Sequence, residues 1–408
     1  MTLTMAPLEP PSPPPSTMNS DQQVNLLELA AASLASTILA SRPIRSLATT
    51  SRVKTDGSPV TDADGAAQRI ICDLLRKVSS KIRIVGEETL QEVESGSKSI
   101  DQRFWQGVNP RKRRKGIQEK AKEEEVLFQN IFNELCQRRK KMKEAMEGVS
   151  SPTNLLLIEE EVAANRISVF IDPLDGTSAY TKGNYTCVTT LVGIIVDNCP
   201  VFGVIGQPFG GEGIMEPHSE YECAAVYGGT LIGGAFSVGG MELKRSIMWK
   251  NAKVPICSKK LDEEKVIDDD DVATSSSMRR KAIISKSRAG GVVQKCINAL
   301  ASRGLLHREL IHITGAGYKT MCLLLGTHGE SLWFFPKPGT SLWDIAAADA
   351  LLRVMGGKLS DKFGRDMDYS KEWMDAENMD GIVACSDSAL HAECIKLYRE
   401  EGWDDDTK

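Results

Sequence analysis

The sequence lacks the features that would place it in a membrane or on a secretory route. No apolar run in the 408 residues approaches the roughly 20 residues that span a bilayer. The segment 1–21 has neither the basic region nor the apolar core of a secretory signal, and its proline and serine content predicts a disordered tail. Ten cysteines include no C-x-x-C pair, which argues against a zinc site and a small disulfide framework. We therefore expect a soluble intracellular protein without a membrane partner.

An excess of charge of one sign is also missing. Fifty Lys and Arg residues face 55 Asp and Glu residues, and the net charge of −5 is too small to predict global attraction to nucleic acids. The basic runs at 110–116 and 137–148 are local, and a solvated helix face accounts for them better than an anion-binding patch. We expect a cytoplasmic protein with no nucleic-acid partner, although the run at 110–116 leaves a nuclear fraction open.

The spacing of apolar residues predicts alternating helices and strands. Helices are expected over 25–40, 66–78, 291–304, 317–326 and 341–357, and strands over 82–85, 167–172, 187–196, 200–209, 282–285, 310–314 and 330–336. Residues 54–64 are expected to form turns, and 266–280 an acidic linker or loop. The stretch from about 91 to 165 is expected to be a charged insertion with one or two solvated helices and otherwise mobile chain. This order predicts layered α+β packing, with one subdomain over 22–265 and another over 281–400.

Acidic residues recur where a strand or turn leads into a helix or loop. They are Asp64, Glu87, Glu88, Asp172, Asp175 and Asp344. In a layered unit such junctions share one rim, where carboxylates without a cation would repel one another and take up protons. A hard divalent cation prefers oxygen ligands, which fits Mg²⁺, whereas the absence of a thiolate or histidine cluster disfavours zinc and copper.

The hexapeptide D-P-L-D-G-T (172–177) is the densest of these junctions. Pro173 restricts the turn so that Asp172 and Asp175 can face one space, with the Leu174 carbonyl as a further oxygen ligand. Gly176 allows close approach of the backbone to a ligand, and its N–H and that of the next residue could cradle an anion. Metal ions beside an anion cradle suit transfer of a phosphoryl group to water. Taken alone, the hexapeptide has an ordinary turn as its alternative interpretation.

Three motifs in fixed order carry a family resemblance. They are V-G-E-E (85–88), I-D-P-L-D-G-T (171–177) and W-D-I-A-A-A (343–348). Together they resemble the signature of the inositol monophosphatase superfamily, over about 22–88 and 167–397. The resemblance implies a layered α-β-α-β-α sandwich and a Mg²⁺-dependent, lithium-sensitive phosphomonoesterase.

Further stretches narrow the resemblance within that superfamily. D-G-S-P-V-T-D-A-D-G-A-A-Q (56–68), G-V-I-G-Q-P-F (203–209) and G-A-G-Y-K (315–319) are most similar to the 3′(2′),5′-bisphosphate nucleotidases. Inositol polyphosphate 1-phosphatases resemble the same regions, but they usually carry Ser instead of Gly before the threonine of the hexapeptide. The glycine at 176 therefore favours the nucleotidase.

The resemblance also implies roles for the acidic residues. Glu87, Asp172 and the Leu174 carbonyl would hold a first metal ion, and Asp172, Asp175 and Asp344 would hold a second. Asp64 would position a water or a third ion, with the nearby Asp62 as a structural turn or cap residue. Glu88 would orient the ligands. Thr177 would help to activate the attacking water, and its alternative role is a plain helix N-cap.

The resemblance also implies residues that would contact the substrate. Lys319 would meet a second, non-scissile phosphate, and its alternative is a solvated helix lysine. The N–H groups of Gly176 and Thr177 would cradle the scissile phosphate. Ser287 and Arg288 are weaker candidates for contact with the sugar or the distal phosphate. His312 is expected in the core or beside the substrate. With five histidines and no Ser/His or Cys/His pair, a covalent phospho-enzyme is not favoured.

The predicted activity is hydrolysis of the 3′-phosphate of adenosine 3′,5′-bisphosphate, giving AMP and phosphate, by in-line attack of metal-activated water. The first alternative is an inositol polyphosphate 1-phosphatase acting on inositol 1,4-bisphosphate. A more distant alternative is a catalytically silent metal-binding scaffold. The sequence does not determine the oligomeric state or the role of the insertion.

Overall fold

The computed structural model describes residues 23–46, 51–54, 57, 59–106, 108–146, 159–210, 223–238, 280–326 and 328–403. The predicted tail at 1–21 and, apart from Arg280, the predicted acidic linker lie outside these residues. The helices are α1 (Leu26–Ser46), α2 (Asp62–Val78), α3 (Leu90–Trp105), α4 (Pro110–Met146), α5 (Thr177–Tyr180), α6 (Gly291–Ser302), α7 (Ala316–Leu325), α8 (Leu342–Val354) and α9 (Ser388–Glu400). None of the helices in these described stretches combines the length and hydropathy needed to cross a bilayer.

The strands form two main sheets and two short pairs. They are β1 (Gln23–Asn25), β2 (Ser51–Val53), β3 (Pro59–Thr61), β4 (Arg83–Gly86), β5 (Glu161–Ala163), β6 (Ile167–Asp175), β7 (Thr189–Val196), β8 (Cys199–Gln207), β9 (Ala224–Gly229), β10 (Gly234–Val238), β11 (Lys281–Ile284), β12 (Leu310–His312), β13 (Glu330–Phe335), β14 (Lys358–Ser360) and β15 (Ile382–Cys385). The six-stranded sheet has the order β10-β9-β8-β7-β6-β4, antiparallel except for β4 beside β6. The five-stranded sheet has the order β12-β11-β13-β15-β14 and mixes parallel and antiparallel pairs.

Alternating side chains of the six-stranded sheet enter two different cores. On β6, Val169 and Ile171 pack with α1 and α2, whereas Phe170 between them packs with α8 and the five-stranded sheet. Successive side chains of a strand point to opposite faces, so this sheet is covered by helices on both sides. Beyond it, α7 and α8 contact β7, and α9 packs against β14, β15 and α6. The predicted α-β-α-β-α layering is confirmed, whereas the subdomain boundaries stay a prediction.

Small residues let α8 lie directly on the six-stranded sheet. A Cβ added to Gly193 on β7 would stand 2.6 Å from the Ala346 Cβ, and one added to Gly203 on β8 would stand 2.9 Å from the Ala347 Cα. The alanines of W-D-I-A-A-A are therefore packing residues. Their close contact fixes the helix whose first turn carries Asp344.

The segment from 91 onward differs from the predicted solvated insertion. Helix α3 starts at a capping box made by Thr89 and Glu92 and crosses α2 at a glycine pair. A Cβ on Gly96 would lie 2.8 Å from the Gly65 carbonyl carbon, and one on Gly65 would lie 2.7 Å from the Glu92 carbonyl carbon. The expectation of mobile chain is wrong for 91–105, because this stretch forms a helix that packs on α2. The two helices can approach so closely because each has a glycine at the contact.

Helix α4 confirms a helix around residues 126–136 but is much longer than that stretch. The helix has 37 residues and contacts α1, with Ile131 and Leu135 buried in the shared core. The buried Arg139 donates to the Leu231 carbonyl at 2.8 Å. The helix is therefore attached along one stripe and solvated elsewhere. Residues 147–158 of the predicted insertion lie outside the described chain.

Most other predicted elements are confirmed with small shifts of their ends. The turn prediction for 54–64 is wrong at its end, since β3 and the start of α2 occupy 59–64. Thr61 caps α2 and forms a capping box with Asp64, which draws the predicted turn residues into a helix. His312 is exposed and does not belong to the core. Strands β14 and β15 and helix α9 complete the second sheet without having been predicted individually.

Candidate active site

Three aspartates from two layers meet at one end of the six-stranded sheet. Asp172 and Asp175 come from the end of β6, and Asp344 comes from the first turn of α8. Each offers a carboxylate oxygen, and these oxygens all lie within 4.8 Å of one another. Asp172 and Asp175 are buried and Asp344 is half-buried. The register of β6 against β7 shifts between Asp172 and Asp175, so the intervening Pro-Leu bulges and both carboxylates face the same space.

Backbone and hydroxyl donors orient these carboxylates. Asp172 Oδ1 accepts from the Leu174 N–H at 3.0 Å, and Asp344 Oδ2 accepts from the Ser341 N–H at 2.6 Å. Asp175 Oδ2 accepts from Thr189 Oγ1 and from the Gly317 N–H, both at 2.8 Å. Each carboxylate is thus held through one oxygen by its neighbours.

The electrostatics of the cluster call for a cation. Burial raises the pKa of Asp172 well above its usual range, with Glu87, Asp175 and Asp344 adding repulsion. Burial and the Asp175 carboxylate likewise raise the pKa of Asp344 to about 7. A divalent ion would relieve this repulsion, and carboxylate oxygens are its preferred ligands. The acidic cluster therefore fits a hard metal ion.

Glu87 and Glu88 share a lysine that the motifs did not identify. Lys54 Nζ donates to Glu87 Oε1 and to Glu88 Oε1, each at 2.8 Å. Burial lowers the pKa of Lys54, but the two carboxylates outweigh it and the net shift is upward. Burial and the Glu87 carboxylate raise the pKa of Glu88 to about 9. Gln68 clamps the backbone of Glu88 with two hydrogen bonds of 2.7 and 2.9 Å.

Asp64 and Thr177 form a second pair beside the cluster. Thr177 Oγ1 lies 3.1 Å from Asp64 Oδ1 and 2.9 Å from the Leu174 carbonyl oxygen, both of which are acceptors. Thr61 holds the other oxygen of Asp64 through its N–H at 2.8 Å and through its hydroxyl. Burial raises the pKa of Asp64 to about 7. Gly176 has a left-handed conformation with φ of 87° and is the N-cap residue of α5, which begins at Thr177.

Two cationic side chains lie on the α7 and β11 side of the site. Lys319 is buried, with its Nζ 4.8 Å from the centroid of the Trp333 ring, so the alternative of a solvated lysine is wrong. Burial lowers its pKa to about 8, although Asp175 and Asp344 act in the opposite direction. Arg288 stacks 4.6 Å from the Phe335 ring centroid and donates to the Gly339 carbonyl at 2.6 Å.

The structure therefore brings most of the predicted site residues to one region. Asp172, Asp175 and Asp344 converge directly, and the pairs just described border them. Ser287 lies in the 3-10 turn after β11 and is exposed. Asp62 is bound by Arg52 at 2.9 Å and by Ser99 at 2.6 Å, in keeping with a structural role.

Sequence reasoning missed Lys54 and Thr189 because they hydrogen-bond the carboxylates of other site residues, a relation that no motif marks. It missed Gln68, the last residue of the 56–68 stretch, because its contact is with the backbone of Glu88.

Comparisons with known proteins agree with this picture. A family model described as the inositol monophosphatase family matches residues 118–402. The 3′(2′),5′-bisphosphate nucleotidase 1 of Dictyostelium discoideum is 28% identical over 351 residues, covering 85% of this chain and 88% of that protein. The Homo sapiens protein of the same name is 27% identical over 330 residues, covering 79% and 78%.

Two further comparisons are more limited, since one relative matches a shorter stretch of the chain and one solved structure shares the fold. The Golgi-resident adenosine 3′,5′-bisphosphate 3′-phosphatase of Mus musculus is 28% identical over 214 residues, covering 52% of this chain and 46% of that protein. Among solved structures, the inositol-monophosphate-bound SaIMPase-II has a TM-score of 0.51 at 13% identity, covering 92% of this chain and 95% of that chain. At such identity the likeness concerns the fold alone.

Proposed function

This chain belongs to the inositol monophosphatase family, and we propose that it removes the 3′-phosphate of adenosine 3′,5′-bisphosphate, yielding AMP and phosphate. One observation carries the proposal. A cluster of three aspartates suited to a metal ion is bordered by a buried lysine, as a substrate with one scissile and one retained phosphate requires. The names of the relatives that match most of the chain support the choice of a bisphosphorylated nucleotide.

The acidic residues would hold two or three Mg²⁺ ions. Glu87, Asp172 and the Leu174 carbonyl would hold one, and Asp172, Asp175 and Asp344 another. When bound, Mg²⁺ polarises the phosphoryl oxygens, lowers the pKa of a water and stabilises the leaving oxygen. Glu88 would keep Glu87 in place rather than bind metal, because it is tied to Lys54 and Gln68. Inhibition by Li⁺ is expected from the family resemblance.

Thr177 and Asp64 supply a route for the proton of the attacking water. The water donates to Thr177 Oγ1 while the threonine hydroxyl proton passes to Asp64 Oδ1, which lies 3.1 Å away. The water oxygen bonds to phosphorus as the bond to the 3′-oxygen of the sugar breaks, and this oxygen takes up a proton from solvent to give the hydroxyl of AMP. Burial raises the pKa of Asp64 and so favours uptake of a proton by its carboxylate, which suits the role of proton acceptor.

Lys319 supports the preference for a second phosphate. It is on α7, whose Gly317 N–H donates to Asp175 Oδ2 at 2.8 Å, so this helix lies beside the aspartate cluster. A buried ammonium without a solvent shell would bind a phosphate strongly as a point charge. Arg288 and Ser287 would extend this contact towards the sugar or the distal phosphate, and the N–H groups of Gly176 and Thr177 would face the scissile one.

A parallel assay tests the proposal. Phosphate release is measured from adenosine 3′,5′-bisphosphate, inositol 1,4-bisphosphate and 3′-AMP, each with Mg²⁺ and with or without Li⁺. We expect the bisphosphorylated nucleotide to be turned over fastest, and the Asp175→Asn variant to lose the activity. Turnover of inositol 1,4-bisphosphate without turnover of the nucleotide would establish the polyphosphate 1-phosphatase instead. Unchanged activity in Asp175→Asn would refute catalysis at this cluster.

The cytoplasmic location belongs to the same proposal. The basic residues at 111–115 are exposed at the start of α4, where an import factor could reach them. Microscopy of the tagged full chain, compared with a chain carrying Gln at these positions, tests whether a nuclear fraction exists and depends on this run.

A further inference from the structure

Asp175 differs from the other two aspartates in how it is held. Its Oδ2 receives two hydrogen bonds from two separate elements, Thr189 Oγ1 on β7 and the Gly317 N–H in the first turn of α7. Thr189 is fully buried, so its hydroxyl has no access to bulk water. Two donors on one carboxylate oxygen fix the rotation of the carboxyl group and leave Oδ1 as the oxygen available to a cation.

The close approach of α7 depends on glycine. A Cβ added to Gly317 would stand 2.6 Å from the Leu191 Cδ2 and 3.0 Å from the Thr189 Cβ. A Cβ added to Gly315, whose φ is +83°, would stand 3.0 Å from Asp175 Oδ2. A side chain at either position would push the start of α7 away from β7. The G-A-G sequence thus allows a backbone N–H of α7 to reach a carboxylate at the end of β6.

This contact joins the two halves of the cluster. Asp175 belongs to the six-stranded sheet, whereas α7 packs against both sheets and contacts α8, which carries Asp344. The hydrogen bond from Gly317 therefore fixes Asp175 relative to the layer that provides the third aspartate. Loss of the partner bond from Thr189 would let the carboxyl group rotate about its last torsion angle, which is broad for aspartate.

We propose that Thr189 and the Gly317 N–H are positioning groups that set Asp175 for metal binding, and that Thr189 thereby determines the affinity of the cluster for Mg²⁺. The inference rests on the proposed function only in taking the cluster to bind a divalent cation. Outer hydrogen-bond partners of this kind typically change metal affinity by roughly 10–100-fold when they are removed.

The test is Mg²⁺ titration of the full-length protein by calorimetry, without substrate. Thr189→Val keeps the shape of the side chain and removes its hydroxyl, and we expect its Mg²⁺ affinity to fall at least about tenfold. Thr189→Ser should restore the affinity to within about threefold. The matched control is Thr320→Val, since Thr320 is equally buried on α7 but donates to the Ala316 carbonyl, away from the cluster.

The outcomes separate this inference from the proposed function. If Thr189→Val unfolds, Thr189→Ala removes the hydroxyl together with the γ-methyl, adds no new group at this buried position, and provides the alternative comparison. Wild-type Mg²⁺ affinity in a folded Thr189→Val or Thr189→Ala protein overturns the inference, whatever the enzyme hydrolyses. An equal loss in Thr320→Val also overturns it, because the loss would then be a general packing effect. Weakened binding in Thr189→Val alone upholds it, even if adenosine 3′,5′-bisphosphate proves not to be a substrate.

Discussion

Replacing Lys54 by methionine should destabilise the metal-free protein much more than the Mg²⁺-loaded one. Lys54 Nζ lies 2.8 Å from a carboxylate oxygen of both Glu87 and Glu88, and only 13% of its side chain is exposed. Methionine keeps a similar volume and removes the positive charge. Glu87 and Glu88 would then repel each other, and they would also repel the nearby Asp172 and Asp64, with no cation to offset these charges.

The expected size of the effect follows from this geometry. Removing one partner of a buried ion pair costs about 3–5 kcal/mol of unfolding free energy, because the remaining charge is left uncompensated. Glu88 can escape part of this cost by taking up a proton once Lys54 is gone, since burial and the Glu87 carboxylate already raise its pKa. We therefore expect a loss of about 3 kcal/mol at pH 7 without metal, at the lower end of that range. With saturating Mg²⁺, a cation beside Glu87 replaces the lost charge and the loss should fall below about 1 kcal/mol.

The assay is urea denaturation of wild type and variant, in EDTA and in excess Mg²⁺. Lys77→Met is the matched control, because Lys77 pairs with Glu124 at 3.2 Å on the surface and 65% of its side chain is exposed. Such surface pairs contribute about 0–1 kcal/mol, so the control should lose little in either condition. A Lys54→Met loss that is the same with and without Mg²⁺ would refute the interpretation of Lys54 as the counter-cation of the metal-free site.

Three further changes test separate parts of the molecule. Burial lowers the pKa of Lys319 to about 8, so its ammonium group loses its charge above that pH. KM for the bisphosphate should therefore rise with pH, and Lys319→Arg should flatten that rise. A wild-type KM that does not change with pH would contradict this. Thr177→Val should lower kcat by about 10²–10⁴-fold while Thr177→Ser retains most activity, and equal kcat in both would exclude proton transfer through this hydroxyl. Gly96→Val should cost about 1–3 kcal/mol in urea denaturation, whereas Lys98→Val on the exposed side should change stability by less than about 0.5 kcal/mol.

Much of the fold and of the candidate site follows from local sequence. Strand and helix patterns predicted β6, β7, β8 and α8 because burial on a sheet or along a helix leaves a periodic apolar trace. The carboxylates at the ends of these elements could be selected by motif order, since Glu87, Asp172, Asp175 and Asp344 each follow a recognisable strand or start a helix. Their convergence could be expected because such ends meet at one rim.

The same reasoning failed where a residue's environment is set by another part of the chain. The charge-rich composition of about 91–165 predicted one or two solvated helices in otherwise mobile chain. Instead, the contact between Gly65 and Gly96 holds α3 on the protein, and one stripe of buried residues holds α4. Charge counts describe the exposed face of a helix, and a few apolar or small residues on its other face are enough to attach it.

The layered class of the fold, the order of its main elements and the acidic residues that could hold a metal ion are all evident from the sequence without a structure. Three other features emerge from the packing of distant segments: Lys54 bridges Glu87 and Glu88, Lys319 is buried, and Thr189 and Gly317 hold Asp175. The physical reason is that the first group depends on local periodicity and on residue chemistry. The second depends on which distant donor happens to reach a buried carboxylate when two sheets and their helices pack together.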